Sequence, residues 1–233
     1  MAGKAGGLHR LPTWIHCTRY GPAPPPARPG RSGKLSDRSR VRTLRTRMAK
    51  VDSQLEGERI LLCVCGGIAA YKSADLVRRL QDAGAQVRVA MTGSAMHFVG
   101  ATTFQALSGE AVRTSLWDPA AEAAMGHIEL ARWATRVLVA PATANTLAKL
   151  AHGLADNLVT TLCLATTAPL ALAPAMNPRM WLHPATVANM ALLRERGALV
   201  LDPVDGPLAE GESGPGRMAE PLDIVAGLAA ARA

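Results

Sequence analysis

From residue 59 onward, short apolar runs alternate with segments of helical spacing, and this alternation constrains the fold of the 233-residue chain. Short apolar runs bounded by glycine are typical of buried strands, whereas apolar residues that recur every three to four positions indicate helices. The pattern predicts strands at 59–65, 86–91, 136–140, 170–173 and 198–202, and helices at 69–83, 95–107, 127–134, 146–157 and 184–196. Such alternation forms right-handed βαβ units around a parallel sheet, so we expect a single α/β domain over residues 48–233.

The formal charge of +8 is unevenly distributed along the chain. Residues 1–47 hold 11 Lys/Arg and one acid, whereas the remainder holds 15 basic and 17 acidic residues and carries −2. A nucleic-acid-binding function is therefore excluded for the predicted domain, because its basic residues do not exceed its acidic ones. Residues 1–47 are rich in Arg, Pro and Gly, which predicts disorder. They resemble an organelle transit peptide only in part, and the alternative is a start codon assigned too early, with Met48 the true first residue.

Cysteine use and hydropathy indicate a cytosolic, non-membrane protein. Cys63 and Cys65 alternate within the first predicted strand, so both should point to one face and remain buried, reduced thiols. The four cysteines do not have the spacing of a zinc site, and we expect no metal. No apolar run reaches the ~18–20 residues that a membrane helix requires.

Two glycines, Gly66 and Gly67, follow the first strand and open a helix, and Ile68 comes next. Glycines at this place allow a tight turn and let an anion approach the free N–H groups of the helix N-terminus. The segment lacks the third glycine and the acid of the dinucleotide pattern, so a mononucleotide phosphate fits better. The alternative interpretation is an ordinary turn between a strand and a helix.

Hydroxyl and amide side chains follow two further strands. They stand at Thr92-Gly93-Ser94 and at Thr143-Ala144-Asn145-Thr146. These groups can bind a ligand phosphate, and the small residues let a flat ring approach the main chain. They can equally be N-caps of the helices that follow. Ligands of parallel sheets bind beyond the carboxyl ends of the strands, where these segments would converge.

His127 stands ahead of an apolar helix face, and imidazole suits proton transfer near neutral pH. A capping or surface role is the alternative.

The segment Pro-Ala-Met-Asn-Pro-Arg-Met-Trp at 174–181 is the most specific motif of the chain. We expect a proline-bounded turn that presents Asn177 to a carboxylate or amide, with Met180 and Trp181 as an apolar wall. The glycine-rich stretch 206–221 shows no apolar period and predicts a mobile flap over the site.

Taken in order, these segments resemble the homo-oligomeric, flavin-containing cysteine decarboxylases, over about residues 58–228. The resemblance is carried by 127–134, 140–146, 153–158, 173–181 and 214–221. Within that family the chain is most similar to the branch that acts on 4′-phosphopantothenoylcysteine in coenzyme A biosynthesis. The resemblance implies a flavodoxin-like three-layer sandwich, FMN as cofactor, and a homotrimer or multiple of trimers with FMN sites at subunit interfaces.

The same resemblance implies roles for individual residues. His127 would be the catalytic base. Asn145 and Asn177 would lie near the substrate carboxylate, with Met180 in the motif beside them, and Met218 and Ala209 would close over the substrate. The FMN contacts would be Gly66, Gly67, Ile68, Thr92, Gly93, Ser94, Thr143, Ala144, Asn145, Thr146 and Ala175.

One position departs from the family pattern. In the family, FMN oxidises a C-terminal cysteine, carbon dioxide leaves and an enethiolate remains; the coenzyme A branch then returns the hydride while a flap cysteine donates a proton. Here Glu210 occupies the place of that cysteine. Glu210 could donate the proton through a raised pKa, the reductive half could be absent, or another donor such as water could suffice.

Three functions follow as hypotheses. The first is conversion of 4′-phosphopantothenoylcysteine to 4′-phosphopantetheine, with the substrate made by a separate phosphopantothenate–cysteine ligase. The second is a peptidyl-cysteine oxidative decarboxylase that releases an enethiol. The third is a non-catalytic, flavin-binding regulatory subunit, against which the presence of His127 and Asn177 argues.

Overall fold

The computed structural model describes residues 54–117, 126–207, 211 and 213–232. The predictions for residues 1–47, Ala209 and Glu210 lie outside these residues.

The described part of the chain contains seven strands, eight α-helices and one 3₁₀-helix. They are β1 (Arg59–Val64), α1 (Ala70–Asp82), β2 (Gln86–Met91), the 3₁₀-helix (Gly93–His97), α2 (Ala101–Ser108), α3 (His127–Trp133), β3 (Arg136–Ala142), α4 (Ala144–His152), α5 (Leu158–Ala165), β4 (Leu170–Pro174), α6 (Pro178–Trp181), α7 (Pro184–Glu195), β5 (Leu199–Val200), β6 (Val204–Pro207), β7 (Ser213–Arg217) and α8 (Pro221–Ala230).

Five strands form one parallel sheet in the order β2-β1-β3-β4-β5. This is the flavodoxin-like order, and it confirms the predicted fold class. The chain runs from β1 outward to β2 and then returns past β1 to β3. The strand order therefore reverses between the neighbouring strands β1 and β3. Their carboxyl ends therefore flank the crevice where ligands of such sheets bind.

The sheet is covered on both faces, as the alternation along β1 requires. Ile60, Leu62 and Val64 pack in a core cluster with α1, α2 and α8. Leu61 and Cys63 pack in a second cluster, with α3, α4, α5 and α7, and Cys65, the next residue after β1, packs there too. The result is the predicted three-layer sandwich, and both cysteines lie on the predicted common face as free, buried thiols. Within the described ranges, no helix has the length and hydropathy to cross a membrane.

Two predicted helices have different bounds in the structure. The helix expected at 95–107 is divided into the 3₁₀-helix and α2, because Gly100 adopts an extended conformation (φ −69°, ψ 143°) as the N-cap of α2. The helix expected at 146–157 ends at His152, since Gly153 takes the left-handed conformation with φ 69°. Asn157 then begins α5 with a capping box, in which its side chain accepts from the N–H of Thr160.

The stretch 206–221, which was predicted to be a flap, contains regular structure in its described part. β6 and β7 form an antiparallel pair, and α8 begins at Pro221. The strand conformation depends on tertiary contacts, because the N–H of Met176 donates to the carbonyl of Gly216 at 3.0 Å. Gly216 has φ 155°, and a Cβ there would lie 2.1 Å from the Met176 oxygen. Only glycine allows this approach.

Candidate functional site

A cavity of about 910 Å³ opens at the carboxyl ends of β1 and β3, where the sequence placed the ligand site. Fourteen of the predicted site residues line it. They are Gly66, Gly67, Ile68, Thr92, Gly93, Ser94, Thr143, Ala144, Asn145, Thr146, Ala175, Asn177, Met180 and Met218. Segments that lie far apart in the sequence are thus brought to one place by the crossover between the two halves of the sheet.

The two glycines after β1 have different structural roles. A Cβ on Gly66 would lie 2.4 Å from the Cβ of Ser94, so glycine is required here for the two loops to pack. A Cβ on Gly67 would meet only the Cγ2 of Thr143, at 3.9 Å. Packing within the protein therefore does not require glycine at residue 67. Because Gly67 lines the cavity, the space beside its Cα belongs to the cavity.

The loop after β3 begins α4, and Thr143 is its N-cap: the side chain accepts from the N–H of Thr146 at 3.3 Å. The capping interpretation of this threonine is therefore confirmed. The first helical turn leaves the N–H groups of Ala144 and Asn145 without an acceptor among the described residues. Thr146, by contrast, is buried, and its hydroxyl donates to the Sγ of Cys65 at 3.3 Å.

Thr92 is also an N-cap, since its hydroxyl oxygen accepts from the N–H of Ala95 at 3.2 Å. Capping uses the oxygen as an acceptor and leaves the hydroxyl proton as a donor toward the cavity. A helix cap and a ligand contact are thus compatible at Thr92. Ser94 is exposed beside it.

The motif at 174–181 forms a turn followed by the short helix α6, which sequence analysis did not predict. Asn177 caps α6, with Oδ1 accepting from the N–H of Arg179 at 2.8 Å. The cap fixes the orientation of the amide in the cavity wall. Met180 is 49% exposed at the cavity, as expected, but Trp181 packs against the second core cluster and does not line it.

Four predicted site residues, His127, Met218, Ala209 and Glu210, differ from the others. His127 is the first residue of α3 and is half-buried, but it does not line the cavity of its own chain. Met218 lines the cavity yet has no exposed surface and belongs to the first core cluster, so it is a fixed part of the wall, and the expectation that it closes over a substrate is not supported. Ala209 and Glu210 lie outside the described residues.

Lys72, a buried lysine, was not among the predicted site residues. Lys72 is 9% exposed and lines the cavity, and its Nζ donates to Glu220 Oε1 at 2.7 Å and to the carbonyl of Met218 at 3.2 Å. Arg217, which also lines the cavity, donates to the same carboxylate oxygen at 3.1 Å. The available signal was a lysine on the apolar face of a predicted helix, where an unpaired charge would be costly.

A second missed group lies at the end of α4. Lys149 Nζ donates to Asp156 Oδ2 at 2.6 Å, and the Asn157 amide donates to Oδ1 at 2.9 Å; all three residues line the cavity. The hydrogen bond from Lys149 is the main reason that the pKa of Asp156 lies below its ordinary value. Lys149 follows Asn145 by four residues, so both side chains lie on one face of the helix.

The sheet order and the cavity at the crossover between β1 and β3 define a flavodoxin-like protein. The open helix N-terminus at that cavity is of the kind that suits an anion. The sequence model described as Flavoprotein matches residues 48–232. The chain belongs to the Flavoprotein family.

Known proteins agree with this assignment. The chain is 56% identical over 171 residues to the coenzyme A biosynthesis bifunctional protein CoaBC of Escherichia coli strain K12, which covers 73% of this chain and 42% of that relative. A solved PPC decarboxylase variant complexed with pantothenoylaminoethenethiol is 36% identical, with a TM-score of 0.63, over 73% of this chain and 96% of that one. The FMN-dependent cysteine decarboxylase SpaF is 33% identical, with a TM-score of 0.65, over 77% and 99%. The chain therefore spans less than half the length of the curated relative that it matches.

Proposed function

We propose that this chain binds FMN and decarboxylates 4′-phosphopantothenoylcysteine to 4′-phosphopantetheine in coenzyme A biosynthesis. The observation that carries the proposal is the meeting of three segments in one cavity: the turn after β1, the N-terminus of α4 and the Asn177 turn. The similarity to CoaBC and to PPC decarboxylase supports the substrate, and the similarity to SpaF, named FMN-dependent, supports the cofactor.

The residues present fit a flavin mononucleotide. The N–H groups of Ala144 and Asn145 and the space at Gly67 suit a phosphate, because helix N-termini attract anions. Three cationic side chains and one carboxylate line the cavity; they are Lys72, Lys149, Arg217 and Asp156. Glu220 pairs with both Lys72 and Arg217, and Asp156 pairs with Lys149, so three cations and two carboxylates leave this group one positive charge. A volume of about 910 Å³ is at the upper end of the range for ligand pockets and leaves room for a substrate beside the flavin.

FMN, when bound, supplies the oxidation that lets a C-terminal cysteine lose carbon dioxide. The chain's own part is to hold the substrate. Asn177, held by its cap on α6, directs an amide at the cavity and would bind the substrate carboxylate, with Asn145 on the neighbouring helix. Met180 supplies an apolar contact.

Completion of the site by a second copy of the chain is part of the proposal. His127, the proposed base, does not line the cavity of its own chain, and Ile128 beside it is 42% exposed. Ile68 and Tyr71, at the cavity, are each more than 60% exposed, although both are large hydrophobic residues. Association of copies would cover these side chains and bring a His127 to a neighbour's cavity. We propose a homotrimer or a multiple of trimers, located in the cytoplasm.

Light scattering on the purified chain tests the assembly. A mixing experiment tests the shared site: His127→Asn and Asn177→Asp variants, each inactive alone, should regain part of the activity when unfolded together and refolded into mixed assemblies. No recovery, with mixed assemblies shown by mass spectrometry, would mean that each site takes both residues from one chain.

The product depends on Glu210, because residues 204–221 contain no cysteine. That fact favours a second candidate function, oxidative decarboxylation of a cysteine substrate that ends at the enethiol, as a peptidyl-cysteine decarboxylase would do. Our proposal assigns the proton donation to Glu210. Glu210→Gln should then abolish phosphopantetheine formation while carbon dioxide is still released.

Mass spectrometry of the product is the deciding experiment. FMN-loaded protein is incubated with 4′-phosphopantothenoylcysteine, which a phosphopantothenate–cysteine ligase, on this or another chain, would supply in the cell. Loss of carbon dioxide alone supports the proposal. Loss of carbon dioxide and two hydrogens supports the enethiol alternative. FMN binding without any turnover, on this substrate or on peptides ending in cysteine, supports a regulatory flavin-binding role.

A further inference from the structure

The thiol of Cys65 lies directly beneath the proposed phosphate site. Cys65 follows β1, precedes Gly66 and is 1% exposed. Its sulfur accepts a hydrogen bond from the Thr146 hydroxyl at 3.3 Å, and the main chain of Thr143 also contacts it. The sulfur therefore links the end of β1 to the beginning of α4, the two elements that flank the crossover.

This link sets the direction of two hydroxyl groups. The Thr143 hydroxyl donates to Thr146 Oγ1 at 3.1 Å, and Thr146 in turn donates to Cys65. Each hydroxyl has a single proton, so both protons are directed along the chain Thr143–Thr146–Cys65, away from a ligand. An anion at this helix N-terminus would then be bound by the N–H groups of Ala144 and Asn145, and the Thr146 hydroxyl would not bind it.

The sulfur is suited to an acceptor role rather than to chemistry. Burial raises the pKa of Cys65 to about 12, so the group remains a thiol at neutral pH and is a poor nucleophile. A buried hydroxyl that loses its acceptor must find another one or remain unsatisfied. Without the sulfur, Thr146 would turn its proton toward Thr143, and the cap that orients the first turn of α4 would be disturbed.

We propose that Cys65 is a positioning residue: by accepting the Thr146 hydroxyl bond, it fixes the N-cap of α4 so that two main-chain N–H groups face the phosphate of the bound ligand. The proposal rests on the proposed function in one respect, namely that the ligand is FMN. The alternative is that Cys65 only fills space in the core cluster that also contains Cys63, two residues earlier on the same face.

Flavin affinity separates the two roles. Dissociation constants for FMN and for riboflavin, which lacks the phosphate, are measured by flavin fluorescence on the full chain stripped of flavin. For Cys65→Ala we expect the dissociation constant for FMN to rise about five- to ten-fold, which corresponds to the loss of one hydrogen bond. The dissociation constant for riboflavin should not change. Cys65→Ser retains an acceptor and should restore FMN affinity. Cys63→Ala, the matched control, should weaken neither ligand selectively.

A double-mutant cycle tests whether Cys65 acts through Thr146. Thr146→Val lacks the hydroxyl, so adding Cys65→Ala to it should raise the dissociation constant for FMN by a clearly smaller factor than Cys65→Ala does in the wild type, the remainder coming from the contact of the sulfur with the Thr143 main chain. Equal losses for FMN and riboflavin in Cys65→Ala, or full additivity with Thr146→Val, would overturn the proposal and leave a space-filling role.

An experiment without flavin keeps this inference separate from the proposed function. If the wild-type chain binds no FMN, the proposed function fails. Inorganic phosphate is then titrated while the amide resonances of Ala144 and Asn145 are followed by NMR. We expect the two amide resonances to shift and saturate at similar phosphate concentrations in the wild type and in Cys65→Ser. In Cys65→Ala, saturation should require a several-fold higher phosphate concentration. Absence of shifts in the wild type, or identical titrations in all three proteins, would overturn the inference.

Discussion

Lys72 and Glu220 are 148 residues apart in the chain, yet the Nζ of Lys72, which lines the cavity, meets the Oε1 of Glu220 at 2.7 Å. The lysine side chain is 10% exposed and the carboxylate 48%. Glu220 directly precedes α8 and also accepts from Arg217 at the end of β7. One carboxylate thus connects α1, which follows the glycine turn, to the β7–α8 connection on the other side of the site.

Removal of this carboxylate should destabilise the fold. Glu220→Ala leaves the Lys72 ammonium largely buried without its ionic partner, and we expect a loss of about 1–2 kcal/mol in the free energy of unfolding, less than for a fully buried pair because Glu220 is half exposed. Urea unfolding at neutral pH measures it. Asp75→Ala is the matched control: Asp75 is also 48% exposed, but its partner Arg79 is 43% exposed, so the loss should be about 0–0.5 kcal/mol. Equal losses would show that burial of Lys72 is unimportant.

Gly66 and Gly67 should respond differently to the same substitution. Gly66→Ala places a Cβ 2.4 Å from Ser94 Cβ and 2.7 Å from its carbonyl carbon, which should cost about 1–3 kcal/mol of stability. Gly67→Ala meets no protein atom closer than 3.9 Å, so its stability should change by less than about 0.5 kcal/mol. FMN affinity should nevertheless fall in Gly67→Ala, because the added methyl group enters the ligand space. Thermal unfolding and fluorescence titration measure the two effects, and unaltered FMN affinity in Gly67→Ala would place the phosphate elsewhere.

Local sequence patterns predicted the sheet and marked the strand ends whose segments line the cavity, because strand and turn signals depend on residues close together in the chain. The alternation at 60–65 gave the two faces of β1, and glycines and hydroxyls marked the strand ends. The hairpin of β6 and β7 could not be predicted, since Gly216 is held in place by Met176, forty residues earlier. The Lys72–Glu220 pair and the direction of the Thr146 hydroxyl likewise arise only when distant segments pack.

The Lys149–Asp156 contact should be visible in the titration of Asp156. In the folded state, the hydrogen bond from Lys149 lowers the pKa of Asp156 below the ordinary 3.8. Desolvation opposes this shift, and the hydrogen bond from the Asn157 amide adds to it. Asp156 therefore binds a proton more readily in the unfolded chain than in the folded one. The contact stabilises the folded state at pH values above the pKa of Asp156 in the unfolded chain. This stabilisation is lost as the pH falls through the lower pKa of Asp156 in the folded state. Lys149→Met should raise the Asp156 pKa, as followed by NMR of the carboxyl carbon.

Arg194→Met is the control for that titration. Arg194 forms a comparable exposed pair with Asp202, so its loss should leave the Asp156 titration unchanged. An Asp156 pKa that is the same in Lys149→Met as in the wild type would show that the contact is not populated in solution. High salt should shift the wild-type value upward, because an exposed pair is screened.

Asn177 combines a structural and a chemical role that two substitutions can separate. Its Oδ1 caps α6 by accepting from the N–H of Arg179 at 2.8 Å, and the residue lines the cavity. Asn177→Asp retains an oxygen acceptor for the cap, so stability should remain within about 0.5 kcal/mol of the wild type, whereas Asn177→Ala should lose about 1 kcal/mol. Both variants lack the amide donor, and the aspartate also repels a substrate carboxylate. If Asn177 binds that carboxylate, decarboxylation should fall about 100-fold in both, because this corresponds to about 3 kcal/mol, the loss expected for a hydrogen bond to a charged group. Initial rates of carbon dioxide release measure the activity, and urea unfolding measures the stability. If the Asn177→Asp enzyme remained active, Asn177 would serve only to cap α6.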